Sequence, residues 1–294
     1  MAEETKNMSH ASKSQTEALF PQSPENLTGF ELLNRVEEVS PLVVRDDQYE
    51  FSWLEEAVKK ARRLGTRFSL VDTGFLSQEK IEWLAEAGAD VYSSDEVNRE
   101  LLQLEFIQLA CRRGKSILAY FYRGDLVSNS ESSATQNLNS LAAQGAFLHL
   151  ADRSPEEMEM VSQLALACRR AGSWLVYYHR GALENSLVSV AEAGVWLHLS
   201  SRAIEDETGE KFLLELVNLT QKRGGNVVLY LDKELSIIFL DDFLRTKAFL
   251  IFPHQIYDYR SPYRPLQDKA GRQKLDWRAY YPVSYTHLTL PTKA

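Results

Sequence analysis

The sequence predicts an α/β fold, a closed (β/α)8 TIM-like barrel built from a fourfold strand-helix-strand-helix repeat. Three observations carry this. Helix-like stretches end in basic residues and Gly at Arg62–Gly65, Cys111–Gly114, Cys168–Gly172 and Gln221–Gly225, and each stop is followed at once by a short apolar run: RFSLVDTG, SILAYFYRG, SWLVYYHRG and NVVLYLDKE. A second series of such runs interleaves with the first: AEAGADVYSSDE, AAQGAFLHLADR, AEAGVWLHLSSR and LRTKAFLIFPHQ. The pattern recurs at about fifty residues, and no Gly-rich phosphate fingerprint follows Asp72, so a closed barrel accounts for it better than an open doubly wound sheet with edges.

In order along the chain, residues 30–64 precede the first expected strand. Their helix starts near Ser52 and sets Trp53, Leu54, Ala57, Val58 and Ala61 on one side, suited to covering the bottom or first seam of the barrel. Strands are expected near 68–72, 90–94, 117–122, 147–151, 174–179, 196–200, 227–232 and 248–252, the last closing on the first. Short helices end in IEWLAEAG, LNSLAAQG, LVSVAEAG and DDFLRTK, and longer ones run from Val97 to Arg113, Pro155 to Arg170 and Glu205 to Arg223. In the second of the long helices Met158, Val161, Leu164, Ala165 and Cys168 recur at helical spacing, with Pro155 suited to a first turn and Ser154 to its cap.

The 294 residues, 44% hydrophobic and 25% charged, suffice for a substantial core. A formal net charge of -8 gives no electrostatic reason to expect a nucleic-acid partner, so a small molecule or a protein is expected instead. The N-terminus lacks a basic start and an apolar stretch, and no later apolar run suits a bilayer; the expected location is cytoplasmic. The expected organisation is a loosely held leader over 1–28, the barrel with its N-terminal helical extension over 29–256, and a Pro-punctuated, aromatic and basic C-terminal extension over 257–282. Residues 283–294 stand apart. VSYTHLTLPT, Val283 to Thr292, resembles the conceptual translation of a transposon-end sequencing adapter, which implies a non-native tail and a natural chain that continues beyond Pro282.

Side chains two apart share a face of a strand, and barrel interiors fill in layers. Aligned on the repeat, Asp72, Tyr122, His179 and Asp232 occupy equivalent strand ends, with Leu70, Tyr120, Tyr177 and Tyr230 two residues back; both sets are expected to point inward. The more apolar Val71, Phe121, Tyr178 and Leu231 are then left to pack on helices. In the interleaved series Tyr92, His149 and His198 are turned inward, with Ser94, Ala151, Ser200 and Pro253 above them. The C-terminal mouth thus collects Asp72, His179 and Asp232 at its centre, ringed by Asp95, Asp152, Arg123, Arg180, Lys233 and His254.

The candidate catalytic residues are Asp72 and Asp232 as paired carboxylates and His179 as proton-transfer partner. Tyr122, Arg123, Arg180 and Lys233 are the substrate-binding candidates, the three cations suiting a carboxylate or phosphate. His149 and His198 are candidate ligands of a divalent metal; without an HxH or HExxH spacing, neutral imidazoles bonded to barrel tyrosines explain them as well. Asp95, Asp152 and Ser201 suit helix caps equally, and Cys111 and Cys168 suit core packing. The polar stretch Asp125–Gln136 follows a strand and is placed over the mouth. Two functions fit: an enzyme acting on a small polar or anionic metabolite by hydrolase-type acid/base or metal-assisted chemistry, or a non-catalytic barrel that binds a ligand or protein. Barrel architecture alone does not choose between them.

Overall fold

A computed structural model describes residues 28–126, 133–252, 263–273 and 278; the expected leader (all but Thr28), His254, Pro253 and the adapter-like residues 283–294 lie outside them. The elements are α1 (Gly29–Glu38), β1 (Leu42–Arg45), α2 (Phe51–Leu64), β2 (Phe68–Val71), α3 (Gln78–Ala87), β3 (Asp90–Ser94), α4 (Leu101–Gly114), β4 (Leu118–Tyr122), α5 (Ser133–Ala143) and β5 (Phe147–Ala151). They continue with α6 (Met158–Arg170), β6 (Leu175–His179), α7 (Ser186–Glu192), β7 (Trp196–Ser200), α8 (Glu207–Lys222), β8 (Asn226–Tyr230), α9 (Ile237–Arg245), β9 (Phe249–Ile251) and α10 (Arg264–Gly271). Among the described residues no helix is long and apolar enough to cross a membrane.

The fold is the expected barrel type. The strands are parallel and sit side by side in chain order, β1 to β9, each joined to the next through a helix. Local chemistry sets the breaks. Thr28 and Glu31 form a capping box at the start of α1. Gly65 ends α2 in the left-handed region at φ 69°, where a side chain would be strained. Gly114 answers a different need: a Cβ there would lie 1.9 Å from the Ala85 carbonyl oxygen, so the end of α4 can seat against α3 only without one.

Two apolar cores flank the sheet. One lies between strands and helices and holds Leu70, Val91, Tyr120, Leu148, Tyr177, Leu197 and Leu229, together with the buried faces of the helices. The other fills the face away from the helices with Val71, Tyr92, Phe121, Tyr178, Trp196 and Tyr230; Val43 of β1 and Ile251 of β9 pack against this same cluster. The curled sheet therefore encloses its own interior.

Two expectations need correction. The repeat begins a strand earlier, at Leu42–Arg45, so β2 has β1 on one edge and β3 on the other and cannot receive 248–252 as the closing partner; β9 pairs with β8, and among the described residues no pairing joins it to β1. The inward face of three strands is also reversed. Leu70, Tyr120 and Tyr177 face the helices, and Val71, Phe121 and Tyr178 face the interior. Barrel strands are buried on both faces, so polarity does not distinguish in from out. Tyr230 does face inward as expected, because β8 is offset by one residue: its Tyr230 is the counterpart of Tyr178, not of Tyr177.

Candidate functional site at the C-terminal end of the barrel

A repeated latch builds the upper rim. The residue just past each odd strand from β1 to β7 binds the backbone just past the next strand. Asp46 Oδ1 accepts from the Thr73 amide at 3.0 Å and its hydroxyl at 2.5 Å, while Oδ2 takes the Leu76 amide at 3.0 Å. Asp95 accepts from the amides of Arg123 and Gly124 at 2.8 and 3.0 Å, and Asp152 from that of Arg180 at 2.8 Å. Ser201 takes the Lys233 amide at 2.7 Å. Asp95, Asp152 and Ser201 thus tie strand ends together, where the sequence suggested helix caps; α8 is capped by Asp206, which accepts from the amides of Thr208 and Gly209.

The three predicted catalytic residues do not meet in one cavity. Asp72 turns to the helix side, where Arg99 grips both its oxygens at 2.6 and 2.7 Å, Ser93 donates its hydroxyl at 2.8 Å and the Gly74 amide adds a fourth bond. His179 stacks on Tyr177 of the helix-facing core and shares its Nε2 proton with the Ala182 carbonyl at 2.8 Å. Asp232 continues the inward side of β8 beyond Tyr230 and accepts from Ser200 Oγ at 2.8 Å.

The substrate-binding candidates divide the same way. Tyr122 points to the helix side, donates its hydroxyl to the Asp125 carbonyl, and lines a cavity of about 150 Å³ with Arg99, Leu104, Tyr120 and Leu138. Lys233 reaches the Ile204 carbonyl with Nζ at 3.1 Å. Arg123 lies over the inward-facing ring of Phe121, 5.2 Å from its centroid, and pairs with Glu96. Arg180 follows inward-facing Tyr178 by two residues and sits 3.7 Å from Asp152. Arg45, two residues beyond Val43, has the corresponding place on β1 and pairs with Asp47 at 2.5 Å. All three arginine side chains keep part of their surface in solvent.

Below the rim, His149 and His198 do share the inner layer. His149 Nδ1 bonds the Tyr178 hydroxyl at 3.1 Å and His198 Nδ1 that of Tyr230 at 2.9 Å, and the Tyr178 and His198 rings lie 4.6 Å apart. Burial, with a smaller push from His198, holds His149 well below the usual histidine range, so its imidazole is neutral. Among the described residues no three His, Cys, Asp or Glu side chains are grouped as a metal ion would require.

Sequence reasoning passed over Asp46, Arg99 and Arg153. Asp46 had a signal, since LVVRD lines up with VYSSD and LHLAD. Arg153 is buried and spends its guanidinium on the carbonyls of Tyr122, Arg123 and Gly124, a role set by the path of a distant loop.

No family model and no curated protein matches the chain. Among solved structures it is similar to orotidine 5'-phosphate decarboxylase from Lactobacillus acidophilus, at 13% identity over 68% of this chain and 96% of that one, with a TM-score of 0.31. A truncated 3-deoxy-D-arabino-heptulosonate 7-phosphate synthase from Thermotoga maritima matches at 10% identity over 79% and 84%, with a TM-score of 0.30. Oxaloacetate acetylhydrolase matches at 13% over 80% and 94%, with a TM-score of 0.31. Scores of this size assign neither activity nor substrate to this chain.

Proposed function

We propose that the barrel binds a small anionic molecule at its C-terminal mouth, with Arg45, Arg123 and Arg180 as the cationic clamp. The observation that supports this is their common placement: each continues the inward side of its strand beyond the apolar interior, and each side chain stays partly exposed. Ser200 and Asp232, joined by their 2.8 Å hydrogen bond on the same side, supply polar contacts beside the anion. Proton transfer in this mouth falls to Asp232, because Asp72 and His179 are committed elsewhere. Those same commitments favour a second reading, a binding barrel without catalysis.

Calorimetric titration with phosphate, phosphorylated sugars and dicarboxylates tests the clamp. Removing both Arg123 and Arg180 by R123A/R180A is expected to weaken the best ligand at least about tenfold, the size of a lost charge-assisted contact. Undiminished affinity in that variant would overturn the proposal. Turnover that is abolished in Asp232→Asn while binding survives identifies an enzyme; a ligand bound without turnover by the unaltered chain supports the second reading.

A further inference from the structure

The opposite end of the barrel carries an arrangement that the rim chemistry does not use. Phe147 opens β5, Trp196 opens β7, Phe249 opens β9, and Trp174 precedes β6 by one residue. Their rings form a connected group: Phe147 stands edge-on to Trp174 at 5.8 Å, Trp174 lies 5.2 Å from Trp196, and Trp196 stacks on Phe249 at 5.7 Å. A guanidinium is already seated on this group. The central carbon of Arg278 lies 4.4 Å from the Trp174 centroid and 5.8 Å from that of Phe147.

Two further features suit a planar cation. Asp90, at the start of β3, is buried, is paired with Arg67 at 3.2 Å, and feels the charge of Arg278. The wall around Arg278 is aromatic, with the Trp174 and Phe147 centroids 4.4 and 5.8 Å from its central guanidinium carbon, and ring faces are surfaces on which a flat cation stacks. Indole faces attract cations, and a flat guanidinium adds stacking to that attraction.

The geometry points to a guanidinium-binding aromatic site at the N-terminal end of the barrel, filled in this chain by its own Arg278. The ligand class is the arginine side chain or a small guanidinium compound, and Arg278 is the tethered competitor that occupies the site. Tethering gives Arg278 a high effective concentration, so an outside guanidinium binds measurably only once Arg278 is removed or displaced.

Tryptophan fluorescence titrated with millimolar methylguanidinium, well below denaturing concentrations, tests this on the full chain. Arg278→Ala is expected to give a saturable change, and the unaltered chain a response at least about tenfold weaker because its site is occupied. The double variant R278A/W174A should give none, and R278A/W174F, which keeps an aromatic face and guards against a folding defect, should bind more weakly than R278A. A flat titration of folded Arg278→Ala overturns the proposal. So does an equal response in R278A/W174A, or equal saturation by tetramethylammonium, which cannot stack as a plane.

Discussion

Arg99 holds Asp72 by both carboxylate oxygens, Nε to Oδ2 at 2.6 Å and Nη2 to Oδ1 at 2.7 Å, with both side chains almost wholly out of solvent. This is a bidentate pair in which the aspartate has no oxygen left for chemistry. Breaking a buried pair from one side strands the other charge, so Asp72→Ala should cost about 3–5 kcal/mol in urea unfolding. Anion affinity at the mouth should be unchanged in any of the variant that remains folded.

Asp90 and His149 give opposite pH dependences. Burial raises the Asp90 pKa from 3.8 to about 6, against the pull of Arg67. Its contribution to stability is therefore full below 3.8 and lost as pH rises through about 6, by an amount on the order of 3 kcal/mol. Asp90→Asn should remove that loss, which stability curves at pH 5 and pH 8 would register. His149, depressed below its usual 6.5, contributes stability above that value that is lost as pH falls below it. His149→Gln should flatten the acid limb while Asp90→Asn steepens it.

Cys111 and Cys168 are buried, free thiols whose pKa values burial pushes up to about 12. The thiolate is the reactive form, so neither should react with a thiol reagent at pH 8 in the folded protein. Both should react at once in denaturant. Rapid labelling of either in the native state would contradict the burial of α4 and α6.

Asp95 supplies the acceptor for two backbone amides. Asp95→Ala should destabilise the chain by about 1–3 kcal/mol, the cost of unmaking such bonds. Asparagine, which keeps an oxygen in place, should restore most of it. Hydrogen exchange at Arg123 and Gly124 should rise in the alanine variant first.

The alternation of helix stops and apolar runs made the eight strands from β2 to β9 legible, because Gly stops and short apolar runs are local signals. The first strand was missed though Leu42–Asp46, like Val91–Asp95, is a short run opened by apolar residues and ended by an aspartate. Facing was legible in β3, β5 and β7, where a lone Tyr92, His149 or His198 is flanked by aliphatic or small neighbours. It was not legible in β4 and β6, where Tyr120, Phe121 and Tyr122, or Tyr177, Tyr178 and His179, set aromatic rings on both faces. The placement of His179 followed that error and that of Asp72 a like one in β2, where Leu70 and Val71 are equally apolar; the reversal in β4 and β6 is also what sets Arg123 and Arg180 on the inward side. Arg99 and Arg153 act on loops about thirty residues away, a contact that no local pattern records.

The latches have a direction. Each runs forward from an odd strand to the even strand after it, so the sheet is assembled from bolted couplets: β1 with β2, β3 with β4, β5 with β6, β7 with β8. Asp72 with Ser93 rivets the second strand to the third, and Arg153 ties the fifth to the end of the fourth. None of these fasteners crosses from β6 to β7. A nick after Ala182 would leave every one of them intact, together with the His179 to Ala182 bond. Two fragments divided there each keep whole couplets, so the joint between β6 and β7 rests on its strand pairing and helix packing alone, with no such fastener at the rim.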